Sequence, residues 1–167
     1  MFDKVISKIL NNEEKEFHEI HVQRDVIETI TDMGQSSDPY EFMCLLEGNF
    51  KNNILTITGL IFLPTDTSSE GAIMHTGMLP VTMDHLGSVH SHPGPSNMPS
   101  ETDLITFSKM GLFHMIICRP YEIENIMSYN RFGEFVPYKI VESTSQVSSV
   151  MDDLIDDEDL LRDDDFY

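Results

Sequence analysis

One stretch of the chain carries most of its chemical information: His90-Ser91-His92-Pro93-Gly94-Pro95-Ser96-Asn97-Met98-Pro99-Ser100-Glu101-Thr102-Asp103. Side chains two apart on a strand share a face, so His90 and His92 can offer two imidazole nitrogens to a single cation. Zinc accepts imidazole at ~2.0–2.1 Å and a carboxylate at a similar distance, and a catalytic zinc keeps three protein ligands and one open position. Asp103 is the natural third ligand. A plainer reading competes, because Ser100-x-x-Asp103 ahead of a helix resembles a capping box, with Glu101 and Asp103 favoured by the helix dipole. The nearby His-x-His pair favours the ligand reading, and Ser100 can both cap the helix and present its hydroxyl to a reaction. Pro93, Pro95 and Pro99 restrict the connecting backbone while Gly94 permits a tight bend, which lets the helix bring its first turn back toward the histidines.

Hydrolysis of an amide at such a centre needs a further group to take the proton of the attacking water and deliver it to the leaving amine. The segment Pro39-Tyr40-Glu41-Phe42-Met43-Cys44-Leu45-Leu46-Glu47-Gly48 places Glu41 at the head of an apolar strand. Partial burial there would raise its pKa toward a useful value. Taken alone, an acid at a strand start is more often structural or solvated. Glu47 competes, but it lies beside Gly48-Asn49 and should face water.

The H-S-H-P and S-x-x-D string, with P-x-E-x-x-x-L-L-x-G upstream, resembles the JAMM (MPN-plus) metallopeptidase family over residues 16–141. That resemblance implies cleavage of isopeptide or peptide bonds after ubiquitin or ubiquitin-like modifiers. It also implies Zn2+ as the cofactor, with His90, His92 and Asp103 as ligands, Glu41 activating the water and Ser100 helping to stabilise the oxyanion. The implied fold is α/β (α+β): a curved, mostly antiparallel sheet flanked by helices, of cytidine-deaminase-like architecture. Only 48 residues separate Glu41 from His90, so large specificity inserts are not expected. The turn resembles stand-alone archaeal or bacterial members, which points to ubiquitin-like or sulfur-carrier protein substrates. A Gly-Gly tail could add as a strand at a sheet edge, and residues 71–78 are the edge we expect. The alternatives are a peptidase that processes a sulfur-carrier protein and a non-catalytic zinc-binding interaction module.

The elements that must hold these residues alternate between helical and extended patterns, as in a mixed α/β domain. Helix is expected over 3–11 and over 24–33, the latter closed by Gly34, and from 100 to about 110 with Gly111 as the stop. Extended segments are expected over 16–22, 41–46, 53–63, 71–78, 85–92, 113–119, 125–130 and 134–141. Turns are expected at Gly48-Asn49 and at Arg131-Phe132-Gly133, and loops over 35–39 and 65–70.

The chain has 167 residues, enough for one domain with a sizeable core. Residues 152–165 hold nine acids against one Arg, a block that repels itself. We therefore divide the chain into a domain over 1–148 and an acidic tail over 149–167, read as a solvated segment, with a short helix docking on a basic partner as the alternative. The net charge of −19 and only ten Lys or Arg argue against nucleic acid, whose binding rests on cationic side chains. No apolar run reaches the ~20 residues of a membrane span and no secretory signal begins the sequence, so a cytoplasmic location is expected. Cys44 and Cys118 lie in apolar runs and read as buried free thiols. His18, His21, His75, His85 and His114 lack partners at metal-binding spacing, although His75 could line a substrate groove.

Overall fold

The structure, a computed structural model, describes residues 18–63, 65–68, 71–74 and 86–143. In chain order the elements are β1 (Glu19–Gln23), α1 (Arg24–Ser37), β2 (Met43–Lys51), β3 (Ile54–Ile61), β4 (Thr65–Ser68), β5 (Gly71–Met74), β6 (Gly87–His92), α2 (Glu101–Phe107), β7 (Phe113–Cys118), β8 (Ile126–Asn130) and β9 (Lys139–Val141). Seven strands form one sheet in the order β8-β7-β6-β2-β3-β1-β9, and β4 pairs with β5 as a separate hairpin. Antiparallel pairings outnumber parallel ones by four to three among the described strands. The parallel pairs are β6 with β7, β1 with β3 and β1 with β9, so the main sheet is mixed.

A helix lies on each face. Val26, Ile27 and Ile30 of α1 join Cys44, Leu46, Val89, Met115 and Ile117 in the larger core cluster. Phe107 of α2 packs with Ile116 and Tyr129 in a smaller one. Adjacent residues of β7 thus enter different clusters, because successive side chains of a strand point to opposite faces. Full burial of a large apolar side chain contributes roughly 1.5–3 kcal/mol, which makes the α1 face the main source of stability and leaves the thinner α2 face free to carry chemistry.

Several expectations are corrected. Helix α1 runs through Gly34 to Ser37, so this glycine does not cap it and the expected loop over 35–39 is shortened. A Cβ at Gly34 would meet the Tyr121 ring at 2.7 Å, so close packing explains the residue. Strand β2 continues past Gly48-Asn49 to Lys51. The hairpin turns instead at Asn52 and Asn53, with φ of 54° and 62°. Asparagine tolerates that left-handed region because its short side chain bonds locally. Gly48 marks a bulge, since the register with β3 shifts between Glu47 and Gly48.

The polar segment 65–70 contains strand β4, which pairs with β5 outside the main sheet and therefore needs no apolar alternation. The α2 helix ends at Phe107 rather than near 110. Of the segment 134–141 only Lys139–Val141 forms a regular strand, and it joins β1 rather than β8. Its start keeps one bridge, Tyr129 to Phe135, beyond the expected turn at Arg131-Phe132-Gly133. Cys44 and Cys118 are free and buried, as expected. The expected helix over 3–11, residues 75–78 of the expected strand, His75, His85 and the tail over 149–167 lie outside the described residues.

Candidate metal centre

Strand β6 sits between β2 and β7, and its alternation separates two tasks. Val89 and Ser91 are fully buried, while His90 and His92 stand on the other face, toward α2. The His90 and Phe107 ring centroids are 6.2 Å apart. His90 Nε2 lies 3.1 Å from His92 Nε2, 3.0 Å from Asp103 Oδ1, and His92 Nε2 lies 3.4 Å from Asp103 Oδ2. Donors at ~2.0–2.1 Å from a tetrahedral zinc are ~3.3 Å from one another, and each imidazole nitrogen lies near that distance from the other and from one oxygen of the Asp103 carboxylate. Sequence reasoning named these three ligands, and the structure brings them together.

The orientation of each donor has a local cause. His92 Nδ1 is 3.0 Å from the Ser96 carbonyl and donates to it, which leaves the Nε2 lone pair facing His90 and Asp103. Two imidazole nitrogens facing at 3.1 Å need a proton or a cation between them, so the site fits a metal on its own donor chemistry. Asp103 is set by the helix start: Ser100 Oγ accepts from the Asp103 N–H at 3.2 Å, and the Ser100 N–H donates to Asp103 Oδ2 at 2.6 Å. The capping box therefore fixes the same Asp103 carboxylate that belongs to the candidate metal cluster, so the capping reading of Ser100-x-x-Asp103 does not compete with the ligand reading. Ser100 is exposed and its hydroxyl proton remains available to another acceptor.

Glu41 reaches the site through sheet register. Met43 pairs with His90 and Cys44 with Val89, so extension of the same ladder sets Glu41 opposite His92. The ladder is carried past Met43 by the Ser91 N–H donating to the Phe42 carbonyl at 3.1 Å and the Phe42 N–H donating to Ser91 Oγ at 3.0 Å. Directly opposed residues share a face, and Glu41 lines the same cleft of about 420 Å³ as His90, His92, Ser100 and Asp103. Glu47 is exposed, as expected, and does not line it.

Burial pushes the Glu41 carboxyl above the ordinary glutamate range; His90 and His92 oppose that rise and Asp103 adds to it. Burial also works against the Asp103 carboxylate. Hydrogen bonds from His90 and His92, with the His90 charge and Ser100, overcome it and hold the carboxyl well below its usual range. For His92, burial disfavours the charged ring, but Asp103 and the Ser96 carbonyl outweigh it and raise its pKa. The site thus separates a carboxylate that stays ionised from one that takes a proton more readily.

Met43, Thr102 and Thr106 also line the cleft, and sequence reasoning missed them. The available signals were Met43 two residues after Glu41 on a strand and Thr102 and Thr106 flanking Asp103 at helical spacing. His21 bonds Glu19 at 2.7 Å and His114 bonds Ser88 Oγ at 2.9 Å. Neither belongs to a metal cluster among the described residues.

A mixed sheet between two helices, with two histidines at the end of a central strand facing an aspartate in the first turn of a helix, defines a domain with a candidate metal site. The family model described as prokaryotic homologs of the JAB domain matches residues 23–132, and the chain belongs to that family. The chain is 38% identical to a JAB1/MPN domain protein from Archaeoglobus fulgidus of known crystal structure, with 73% of this chain and 99% of that one covered and a TM-score of 0.57. It is 35% identical to a second solved structure, described as JAMM, a metalloprotease-like zinc site in the proteasome and signalosome, covering 74% of this chain and 99% of that one with a TM-score of 0.58. A Haloferax volcanii protein named "Probable metalloprotease" is 26% identical over 122 residues, or 69% of this chain and 75% of that one. The His90, His92 and Asp103 cluster is consistent with a JAMM zinc site. No helix among the described residues is long and apolar enough to cross a membrane.

Proposed function

We propose that this protein is a zinc-dependent metallopeptidase that hydrolyses the bond following the C-terminal glycine of a ubiquitin-like modifier joined to an amine. The observation that supports this reading above the others is the convergence of three metal-ligating atoms with the Glu41 side chain in one cleft. His90, His92 and Asp103 would hold the ion. When bound, zinc supplies Lewis-acid polarisation of water and of the scissile carbonyl.

Within this reading Glu41 accepts a proton as water oxygen bonds to the carbonyl carbon, and its raised pKa keeps it able to pass that proton on. The proton goes to the departing amine nitrogen as the C–N bond breaks, leaving a glycine carboxylate and a free amine. The Ser100 hydroxyl donates to the oxygen that gains negative charge on the way. The β4–β5 hairpin lies against β2, and an extended Gly-Gly tail would add along it. Such tails suit a narrow cleft because glycine lets the backbone approach closely.

The test is zinc content by mass spectrometry beside cleavage of a modifier fused through its terminal glycine to a lysine side chain. Wild type should carry one zinc and cleave. Glu41→Gln should keep its zinc and lose activity by ~10²–10⁴-fold. A zinc-loaded wild type inactive on every Gly-Gly-tailed substrate would instead favour an interaction module.

A further inference from the structure

Three strand ends lie side by side, the start of β2, the exit of β6 and the exit of β7, and the first two line the cleft. In register, His92 of β6 neighbours Cys118 of β7, and Arg119 is the next residue. Its guanidinium reaches across the exit of β6 to Asp38, three residues before Glu41. Nε donates to Oδ1 at 2.8 Å and Nη2 donates to Oδ2 at 2.9 Å. The backbone N–H of the same residue donates to the Gly94 carbonyl at 3.1 Å, two residues beyond His92. Tyr121 completes the arrangement, its hydroxyl donating to Asp38 Oδ1 at 2.8 Å while its ring packs against Gly34 of α1.

We infer that Arg119 is a positioning residue: it ties the Glu41-bearing segment and the turn after the metal-binding histidines to the end of β7, fixing the distance between base and metal ligands. The inference rests on the hydrolase reading above. An isolated surface ion pair would be a weak basis for it. Here one carboxylate gathers Nε and Nη2 of the guanidinium, Nη2 lying 2.7 Å from Oδ1 as well as bonding Oδ2, together with a phenol, so three donors converge on it. The link is needed because residues 38–42 connect α1 to β2 without belonging to either. Only Tyr40, whose N–H donates to the Ser37 carbonyl at 2.8 Å, and Phe42, bonded to Ser91, add backbone hydrogen bonds there among the described residues. Misplacing a catalytic group by about 1 Å can cost ~100-fold in rate, so a tether outside the cleft has a direct kinetic effect.

The experiment uses the zinc-loaded full chain with Arg119→Met, the milder Asp38→Asn, and the exchanged pair Asp38→Arg/Arg119→Asp. Arg119→Met should lower kcat by ~10–100-fold, with KM and zinc affinity by chelator competition held within about twofold. Amide hydrogen exchange should quicken over residues 40–42 and stay unchanged over 87–92. Asp38→Asn should do the same to a smaller degree, and the exchanged pair should recover part of the loss. Unchanged kcat and unchanged exchange in both single variants would overturn the inference, as would a fall in kcat matched by an equal fall in zinc affinity. If Glu41→Gln retains full activity, the hydrolase reading fails. The exchange data then judge the tether on their own.

Discussion

The two histidines were legible because their signal is short in range: period-two spacing on a strand decides which side chains share a face, and it needs no partner strand to be known. Asp103 was legible for a similar reason, since a helix start has a local code. Glu41 differs. Its place opposite His92 follows from long-range strand pairing, Phe42 with Ser91 across 49 residues, that no local pattern encodes; the strand-head position made it a candidate and the family resemblance singled it out. The buried thiol of Cys44 supplies a prediction at this scale. Burial pushes it from 9.0 to about 12. The folded state then holds its proton after the unfolded chain has released it, so this contribution to stability is complete below pH 9 and is lost as pH rises toward 12. By pH 10 the loss from Cys44 alone is about 1–2 kcal/mol. Tyr138, pushed from 10.0 to about 12 by burial, adds to it at higher pH. Urea midpoints measured from pH 8 to pH 10.5 should fall, and Cys44→Ala should flatten the first part of that fall.

Among the elements, α2 would couple folding to metal binding in the proposed enzyme, because its cap and its candidate ligand share Asp103. Ser100→Ala removes the acceptor for the Asp103 N–H and should destabilise the fold by about 0.5–2 kcal/mol. It should also weaken zinc binding, as Asp103 loses its fixed rotamer, and chelator competition would show this even without a substrate. Helix α1 gives the opposite lesson about glycine. Gly34 looks like a stop in sequence, yet it lies inside the helix facing Tyr121. Gly34→Ala gains about 1 kcal/mol in helix propensity but forces a Cβ into the ring at a cost of about 1–3 kcal/mol. Net destabilisation of about 1 kcal/mol is expected, read as a lower urea midpoint, whereas a C-cap glycine would have lost stability through backbone strain instead. Gly48-Asn49 misled for a related reason: the same dipeptide suits a hairpin turn and a bulge, and the choice depended on Asn52 and Asn53 further along.

For the whole molecule, although the segment 65–70 read as a loop holds strand β4, the α/β class and the helices flanking the sheet followed from sequence pattern and resemblance. Strand partners did not, because β9 pairs with β1 across the length of the domain. The acidic C-terminal segment lies outside residues 23–132 that match the family model, and one solved relative is covered over 99% of its length by only 73% of this chain. Deleting residues 151–167 should therefore leave zinc stoichiometry unchanged and turnover on a small fusion substrate within about twofold. A large fall in either would move the domain boundary into that segment.

The placement of β9 also bears on synthesis. While a nascent chain is still emerging from the ribosome, β1 can dock on β3, but its other edge stays open until Lys139–Val141 has left the exit tunnel. An unpaired edge invites pairing with other chains, so the interval before β9 docks is when the β1 edge is most exposed to aggregation.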